Sequence, residues 1–159
     1  MEIEFDVQIK ARDLYDYMLR HTYSSVSGIM GTMVGILLIA NFFMNGPFIS
    51  VILGFIIIAY LPWTLLLKAQ RQIAGNPAFQ KPLHFKMTDE GVEISQGDAV
   101  QQQAWQDMYK AVSTRNSIIL YTSKINASVF PKRDLEGKIP AIIEMISTHM
   151  PPKKVNIKA

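Results

Sequence analysis

The sequence contains no cysteine, which excludes disulfides, thiolate nucleophiles and metal sites built from cysteine. Its histidines lack the spacing of metal ligands and lie far apart, at His21, His84 and His149. Also missing are G-x-S-x-G, a Walker-type glycine loop and H-E-x-x-H, the signatures of several large enzyme classes. We therefore expect no catalytic residue, no metal and no cofactor, and we interpret the protein as a non-enzyme.

Charged side chains are absent from the whole of His21–Leu67. Asn45-Gly46-Pro47 in its middle is a turn signal. This turn separates two apolar runs, Ser24–Met44 and Phe48–Leu67, and each is close to the roughly 20 residues that cross a bilayer core. We therefore predict a transmembrane helical hairpin over residues 23–74.

Small residues form a stripe along the first apolar run, at Gly28, Gly31 and Gly35. Gly31 and Gly35 complete a G-x-x-x-G motif, a spacing that lets two helices approach closely in lipid. We favour packing of this stripe against the second helix of the hairpin. Homodimerisation through the same stripe is the alternative, and it makes the protein a candidate homo-oligomer.

Charge is unevenly distributed around the hairpin. Residues 1–20 carry three basic and five acidic side chains, a net charge of −2, whereas residues 68–159 carry thirteen basic and eight acidic, a net charge of +5. The tip of the hairpin has no charge, and basic residues flank its base: Lys10, Arg12, Arg20, Lys68, Arg71 and Lys81. The positive-inside rule therefore predicts a multi-pass protein with both termini in the cytoplasm. The mixed, acidic lead-in predicts no cleavable signal peptide.

The hydrophobic period of the N-terminal region changes at Ala11. Residues 2–10 alternate between polar and apolar, which predicts a half-buried strand, and such a strand needs a sheet elsewhere in the chain. After Ala11 the apolar residues follow helical spacing, with no glycine or proline before Gly28. We therefore predict that residues 1–22 form a strand and a lead-in helix, and that this helix runs directly into the first membrane helix.

Short strands separated by turn signals are predicted across residues 78–150. Six are expected, at Leu83–Met87, Val92–Gln96, Ala99–Trp105, Tyr109–Thr114, Ser117–Tyr121 and Ile125–Phe130. An apolar stripe from Ile139 to Met150 predicts a closing helix, with Pro140 in its first turn. Residues 151–159 contain three lysines, and we expect a loose basic tail there. With the N-terminal strand included, the pattern indicates a bent antiparallel sheet of seven strands capped by one helix.

Four segments of this strand region resemble a known family. Phe85-Lys-Met-Thr-Asp-Glu-Gly91-Val-Glu-Ile is followed by Ala104-Trp105-Gln-Asp107-Met-Tyr-Lys110-Ala-Val, and then Ile118-Ile-Leu-Tyr121 leads to Val129-Phe-Pro131-Lys132-Arg133. Together with the strand and hairpin before them, these motifs resemble the YcxB-like family of bacterial membrane proteins. The resemblance implies two membrane helices and a cytoplasmic domain related to bacterial pleckstrin-homology-like domains, located at the bacterial cytoplasmic membrane. It implies no biochemical activity.

The predicted fold class is therefore an α+β membrane protein. It combines the two-helix transmembrane hairpin with a small antiparallel pleckstrin-homology-like β domain closed by a C-terminal helix. In this arrangement the hairpin interrupts the β domain, because the first strand precedes the hairpin and the others follow it.

Two motifs of the β domain have both a structural and a functional interpretation. Trp105 and Asp107 lie two residues apart at the end of a predicted strand, so their side chains would share one face. We favour a core role for Trp105 and a turn role for Asp107 over a ligand contact. Pro131 ends another strand, and Lys132 and Arg133 after it are candidates for lipid phosphate, Arg133 in a bidentate manner. A solvated strand end is the alternative, and we slightly favour it.

The leading hypothesis is a non-catalytic membrane-anchored module whose β domain binds a protein or an anionic lipid at the inner leaflet. Its candidate contact residues are Lys68, Arg71, Lys132 and Arg133. Other cations could extend this basic face, namely Lys81, Lys86, Lys110, Arg115 and Lys124. A bacteriocin-type self-immunity protein and a subunit of an oligomeric channel or transporter are the alternatives. Membrane lipids are the expected partners in every case, and no nucleic acid is expected.

Overall fold

The computed structural model describes residues 2–157, which contain four α-helices and eight β-strands. The helices are α1 (Ala11–Tyr23), α2 (Val26–Phe43), α3 (Ile49–Gly75) and α4 (Ile139–His149). The strands are β1 (Ile3–Val7), β2 (Leu83–Met87), β3 (Gly91–Gln96), β4 (Ala99–Ala104), β5 (Lys110–Ser113), β6 (Ser117–Tyr121), β7 (Ala127–Pro131) and β8 (Val155–Asn156). The predicted α+β class is confirmed.

The strands form two sheets of four, so the prediction of one continuous sheet of seven strands is wrong. The first sheet has the order β1-β2-β3-β4 and is antiparallel throughout. Its β1 pairs with β2, so that Phe5 lies opposite Phe85 although α1, α2 and α3 separate them in the chain. The second sheet has the order β7-β6-β5-β8, in which only β8 runs parallel to its neighbour. The helical segment is therefore inserted between two neighbouring strands of one sheet, as the alternating N-terminal residues predicted.

The larger of two hydrophobic clusters lies between the sheets and α4. Alternate residues of β1 are buried, because one face of the strand meets this core. Phe5 stacks on Phe85, and Phe130 meets both rings edge to face, with ring centroids 4.9 to 5.6 Å apart. Ile142 and Ile146 of α4 are fully buried against the same core. The β domain, defined here as the two sheets with α4, is therefore held together by large apolar side chains.

The second sheet is covered on both faces, since every residue of β6 is buried. Its outer face meets α1, where the ring of Tyr17 lies 5.9 Å from that of Tyr121. The lead-in helix is consequently packed on the β domain and joins it to the hairpin.

Helices α2 and α3 pack on each other and have the opposite pattern of burial. Their buried residues are small: Gly28, Gly35, Ser50, Gly54 and Ala69. Large apolar side chains cover the outside, among them Leu37 at 64% exposure and Phe55 at 61%. Both helices are long and apolar enough to cross a membrane by length and composition.

Three sequence predictions of local structure are wrong. The lead-in helix does not run directly into α2, because the side chain of Ser25 accepts a hydrogen bond from the Gly28 amide and starts a new helix. Such a cap satisfies an amide that has no partner within the helix. Trp105 and Asp107 do not share a strand face, since Trp105–Asp107 form a 3-10 turn after β4.

The predicted loose tail is the third error. Residues 155–156 form β8 beside β5, and the amino group of Lys154 donates to the carbonyl of Met108 at 3.0 Å. An exposed edge of the second sheet is thereby paired, which satisfies backbone groups that the edge would otherwise leave open. Residues 158 and 159 of the predicted tail lie outside the described residues.

Candidate functional site

A basic pocket lies where the start of α1 meets the β5–β6 turn and the segment after β7. Its volume is about 230 Å³. Four basic side chains, one carboxylate and one amide line it: Arg12, Arg115, Lys132, Arg133, Asp13 and Asn116. These six residues are called the basic pocket below.

Asp13 is the buried carboxylate of the basic pocket, with only 1% exposure. It lies in the first turn of α1 and accepts a hydrogen bond from the backbone amide of Lys10 at 2.8 Å. Both terminal nitrogens of Arg133 also donate to this carboxylate. Because burial of an unpaired carboxylate is costly, Asp13 requires this pairing.

Arg133 is correspondingly committed to interactions within the protein. Besides Asp13, its guanidinium donates to the carbonyl of Gln8 at 2.9 Å and lies 3.2 Å from Asp134. The hydrogen bonds to Asp13 raise the pKa of Arg133 above its ordinary value. A guanidinium has five N–H donors. Most of those of Arg133 are engaged within the protein, so few remain to bind a ligand. Arg133 therefore positions the segment after β7 against α1, and its candidate lipid contact stays a prediction.

The turn between β5 and β6 is tied to α1 by Thr114. Its hydroxyl donates to the Asp16 carboxylate and accepts from the amides of Asn116 and Ser117. The carbonyl of Asn116 in turn accepts from the amide of Lys132 at 2.8 Å. This hydrogen-bonded turn presents the exposed side chain of Arg115 beside Arg12 in the basic pocket.

Two cations of the basic pocket have no internal counter-charge. Within residues 2–157, neither Arg12 nor Arg115 forms an ion pair, and both are exposed. The carboxylate that lines the basic pocket, Asp13, is paired with Arg133. The basic pocket therefore presents positive charge to solvent, which suits the binding of an anion. In the described part of the chain, no group of three or more histidine or acidic residues is arranged to hold a metal ion.

The remaining predicted contact residues lie apart from the basic pocket. Lys68 and Arg71 are exposed on the last turns of α3. Of the cations that could have extended the basic face, Lys86 pairs with Glu2 and Glu4 instead. The structure thus brings Lys132 and Arg133 together with Arg12 and Arg115, and leaves Lys68 and Arg71 at the base of the hairpin.

The structural landmarks take up defined positions in the β domain. Trp105 is 5% exposed, donates to the carbonyl of Thr88 at 2.8 Å and stacks on His149 at 5.4 Å. Asp107 is exposed in the turn after it, and Pro131 is buried at the end of β7. Trp105 is therefore part of the hydrophobic core.

The three glycines of the small-residue stripe contact different partners. A β-carbon at Gly35 would lie 2.6 Å from Ile58 and 3.0 Å from the carbonyl of Gly54, so this glycine permits the close approach of α2 and α3. At Gly31 the nearest neighbour would be Leu61 at 3.7 Å, which is an ordinary contact. Gly28 packs against the backbone of Thr22 at the junction of α1 and α2.

Sequence reasoning did not single out Arg12 or Asp13 as members of this site. The only local signal was the acidic residue in the first turn of α1, a common feature of helix starts. What joins Asp13 to Arg133 is a contact across 120 positions of the chain, which no local pattern reveals.

The comparisons with known proteins concern the second half of the chain. Residues 88–146 match the family described as YcxB-like protein. The match runs from just before β3 into α4 and includes Arg115, Lys132 and Arg133. It confirms the family resemblance that the motifs of this region indicated. Comparison with curated proteins and comparison with solved structures each give no match.

Proposed function

We propose that the protein is a non-catalytic, membrane-anchored binding module of the bacterial cytoplasmic membrane. The observation that carries this proposal is the burial pattern of α2 and α3, in which small residues face inward and large apolar residues face outward. In water, each exposed Leu, Ile or Phe side chain would forgo about 1.5–3 kcal/mol of burial free energy. In a bilayer the same surface meets acyl chains, so the arrangement suits lipid as its solvent.

The orientation of the hairpin follows from the position of its charges. Arg20 is the last charged residue of α1 before the uncharged stretch. Lys68 and Arg71 lie on the part of α3 that runs beside α1. All three are at the end of the hairpin that is joined to the β domain. The positive-inside rule then favours a β domain and both chain termini on the cytoplasmic side.

The arrangement of the β domain supports a pleckstrin-homology-like fold. Strands β1 to β4 form one sheet, β5 to β7 belong to the second, and α4 follows them and closes the core. That succession is the one expected for a bent seven-stranded domain with a C-terminal helix. Strand β8 lies outside that succession and pairs with the edge of the second sheet.

The partner of the β domain is proposed to be an anionic protein or lipid at the inner leaflet. Support comes from the positive charge of the basic pocket and from Lys68 and Arg71 at the base of the hairpin. Cations beside an anionic leaflet gain roughly 1 kcal/mol each. Self-immunity, a channel or transporter subunit, and homo-oligomerisation stay predictions.

Single-cysteine labelling in intact cells tests the proposed topology, because the chain has no native cysteine to interfere. Asn45→Cys places a thiol at the tip of the hairpin, and Lys124→Cys places one in the turn after β6; both positions are exposed. A membrane-impermeant maleimide should label the first in cells whose outer membrane is permeabilised, and the second only after lysis. Labelling of Lys124→Cys before lysis would refute the cytoplasmic placement. Extraction of the protein by alkaline carbonate would refute insertion itself.

A further inference from the structure

We infer that the basic pocket is a binding site for a phosphate group. A phosphate group would be the part of the proposed anionic partner that the β domain recognises. This inference rests on the proposed function only for the location of the β domain. The phosphate could belong to a lipid headgroup or to a soluble phosphorylated compound, since both present the same tetrahedral anion.

The cations of the basic pocket come from three separate elements. Arg12 belongs to the first turn of α1, Arg115 to the β5–β6 turn, and Lys132 to the segment after β7. Like charges that converge on one pocket repel each other unless an anion lies between them. A phosphate accepts two parallel hydrogen bonds from one guanidinium, so Arg12 and Arg115 could each hold an edge of the same group.

Contacts within the protein fix the base of the basic pocket. Arg133 and Asp13 neutralise each other below the exposed arginines, and Thr114 fixes the turn that carries Arg115. A site that is formed before the ligand arrives loses less conformational entropy on binding. The carboxylate of Asp13 does not repel the incoming anion strongly, because Arg133 compensates its charge.

The size of the basic pocket limits the ligand. A volume of about 230 Å³ accommodates a phosphate together with a small attached group. Binding of an extended polyanion would require a stripe of cations, whereas Lys68 and Arg71 lie outside the basic pocket. We therefore expect a discrete, saturable site instead of diffuse electrostatic attraction.

The first experiment titrates inorganic phosphate into the full-length protein in phosphatidylcholine nanodiscs at constant ionic strength. The readout is the change in the arginine side-chain NMR signals, with chloride as the reference anion. Saturable shifts are expected in the wild type. Arg115→Gln and Arg12→Gln should each weaken binding roughly tenfold, the equivalent of one charge-assisted contact. Both residues are exposed and form no ion pair within residues 2–157, so neither variant should disturb folding.

Lys124→Gln is the matched control, because it removes one exposed positive charge outside the basic pocket. Its phosphate affinity should equal that of the wild type. If Arg115→Gln and Lys124→Gln bind phosphate equally, or if the wild type shows no saturable shift with either phosphate or the lipid below, the inference is overturned.

The second arm replaces part of the phosphatidylcholine with phosphatidic acid and omits soluble phosphate. Arginine shifts that are lost in Arg115→Gln would assign the phosphate to a lipid headgroup. Shifts with inorganic phosphate alone would assign it to a soluble compound. Shifts that Arg71→Gln abolishes and Arg115→Gln does not would place binding at the base of the hairpin, which contradicts the inference but leaves the proposed membrane-anchored function intact.

Discussion

The hairpin and the β domain bury opposite kinds of side chain. In the β domain the fully buried residues are large, such as Phe85, Phe130 and Ile118. In the hairpin they are small, such as Gly35 and Gly54, while the large apolar residues lie outside. The β domain therefore has the apolar interior of a protein surrounded by water. The hairpin has the apolar surface that suits a protein surrounded by lipid.

The difference matches the proposed placement of the hairpin in lipid and of the β domain in water. The β domain gains free energy when apolar surface leaves water, so it places its bulk inside. Two helices in lipid gain little from that effect, and close approach through small residues allows dispersion contacts instead. Helix α1 contacts both regions, since it packs on β6 through Tyr17 and also contacts the base of the hairpin.

Deletion of residues 2–7 should have the largest effect, because it tests whether the two regions are independent. Ile3, Phe5 and Val7 are all buried in the core that lies beyond the hairpin. Their loss removes about 5–8 kcal/mol of burial, comparable with the whole stability of a small domain. Limited proteolysis in detergent should then digest the β domain. Asp6→Asn on the exposed face of β1 is the control and should stay resistant. A deleted protein with a protease-resistant β domain would make the hairpin a plain N-terminal anchor.

A pair of phenylalanine substitutions compares the two interiors directly. Phe130→Ala removes a side chain with 0% exposure from the aromatic cluster, and it should lower the free energy of unfolding by about 3–5 kcal/mol. Phe55→Ala removes a side chain that is 61% exposed on α3, and it should change stability by less than about 0.5 kcal/mol. Denaturant unfolding in micelles, followed by near-UV circular dichroism, measures both. Equal losses would contradict the inverted burial of the hairpin.

Asp13 and Arg133 form the ion pair that joins α1 to the β domain. Replacing Arg133 should lower the stability of the protein more than replacing Asp13. Arg133→Gln strands the carboxylate of Asp13, which is 1% exposed, and should cost about 3 kcal/mol. Asp13→Asn leaves Arg133, whose side chain is 39% exposed and keeps Asp134 and Gln8 as partners, so it should cost about 1–2 kcal/mol. Thermal unfolding of both single variants and of the double variant measures the coupling. A larger cost for Asp13→Asn would show that the asymmetry does not come from burial of the carboxylate.

Two glycine substitutions test the close approach of α2 and α3. A β-carbon at Gly54 would lie 2.6 Å from the carbonyl of Gly35, so Gly54→Ala should force the helices apart at a cost of about 1–3 kcal/mol. Gly31→Ala would meet only Leu61 at 3.7 Å and should be close to neutral. Resistance of the hairpin to unfolding by sodium dodecyl sulfate distinguishes them. Equal resistance of the two variants would mean that this contact does not limit packing.

The smallest effect should be the response of the β domain to alkaline pH. Burial, with a contribution from the charge of Tyr17, raises the pKa of Tyr121 from 10.0 to about 12. The raised value belongs to the folded state, so the stabilisation is complete below the unfolded pKa of 10.0 and is lost as the pH rises towards about 12. Tyr121→Phe should flatten this loss in a series of thermal unfolding curves. A loss of the same steepness in Tyr121→Phe would exclude this tyrosine as its cause.

The candidate site was only partly predictable from the sequence. The motif Pro131-Lys132-Arg133 drew attention to the right segment, but the sequence offered no sign that Arg133 would pair with a carboxylate in α1. Arg115 was one of five scattered cations, and only the register of β5 with β6 and the Thr114–Asp16 bond place it beside Arg12. Residues that act together in this site come from three distant parts of the chain.

The sequence alone determined the features that depend on local pattern. The uncharged stretch from His21 to Leu67 defined two apolar helices, and the period of the residues defined β2, β6 and α4 almost to the residue. The tertiary structure decided what depends on contacts between distant segments, including β8 on the edge of β5 and the pairing of Asp13 with Arg133. The physical reason is that periodicity records which face of an element is apolar, whereas the partner that covers that face is chosen only when the whole chain packs.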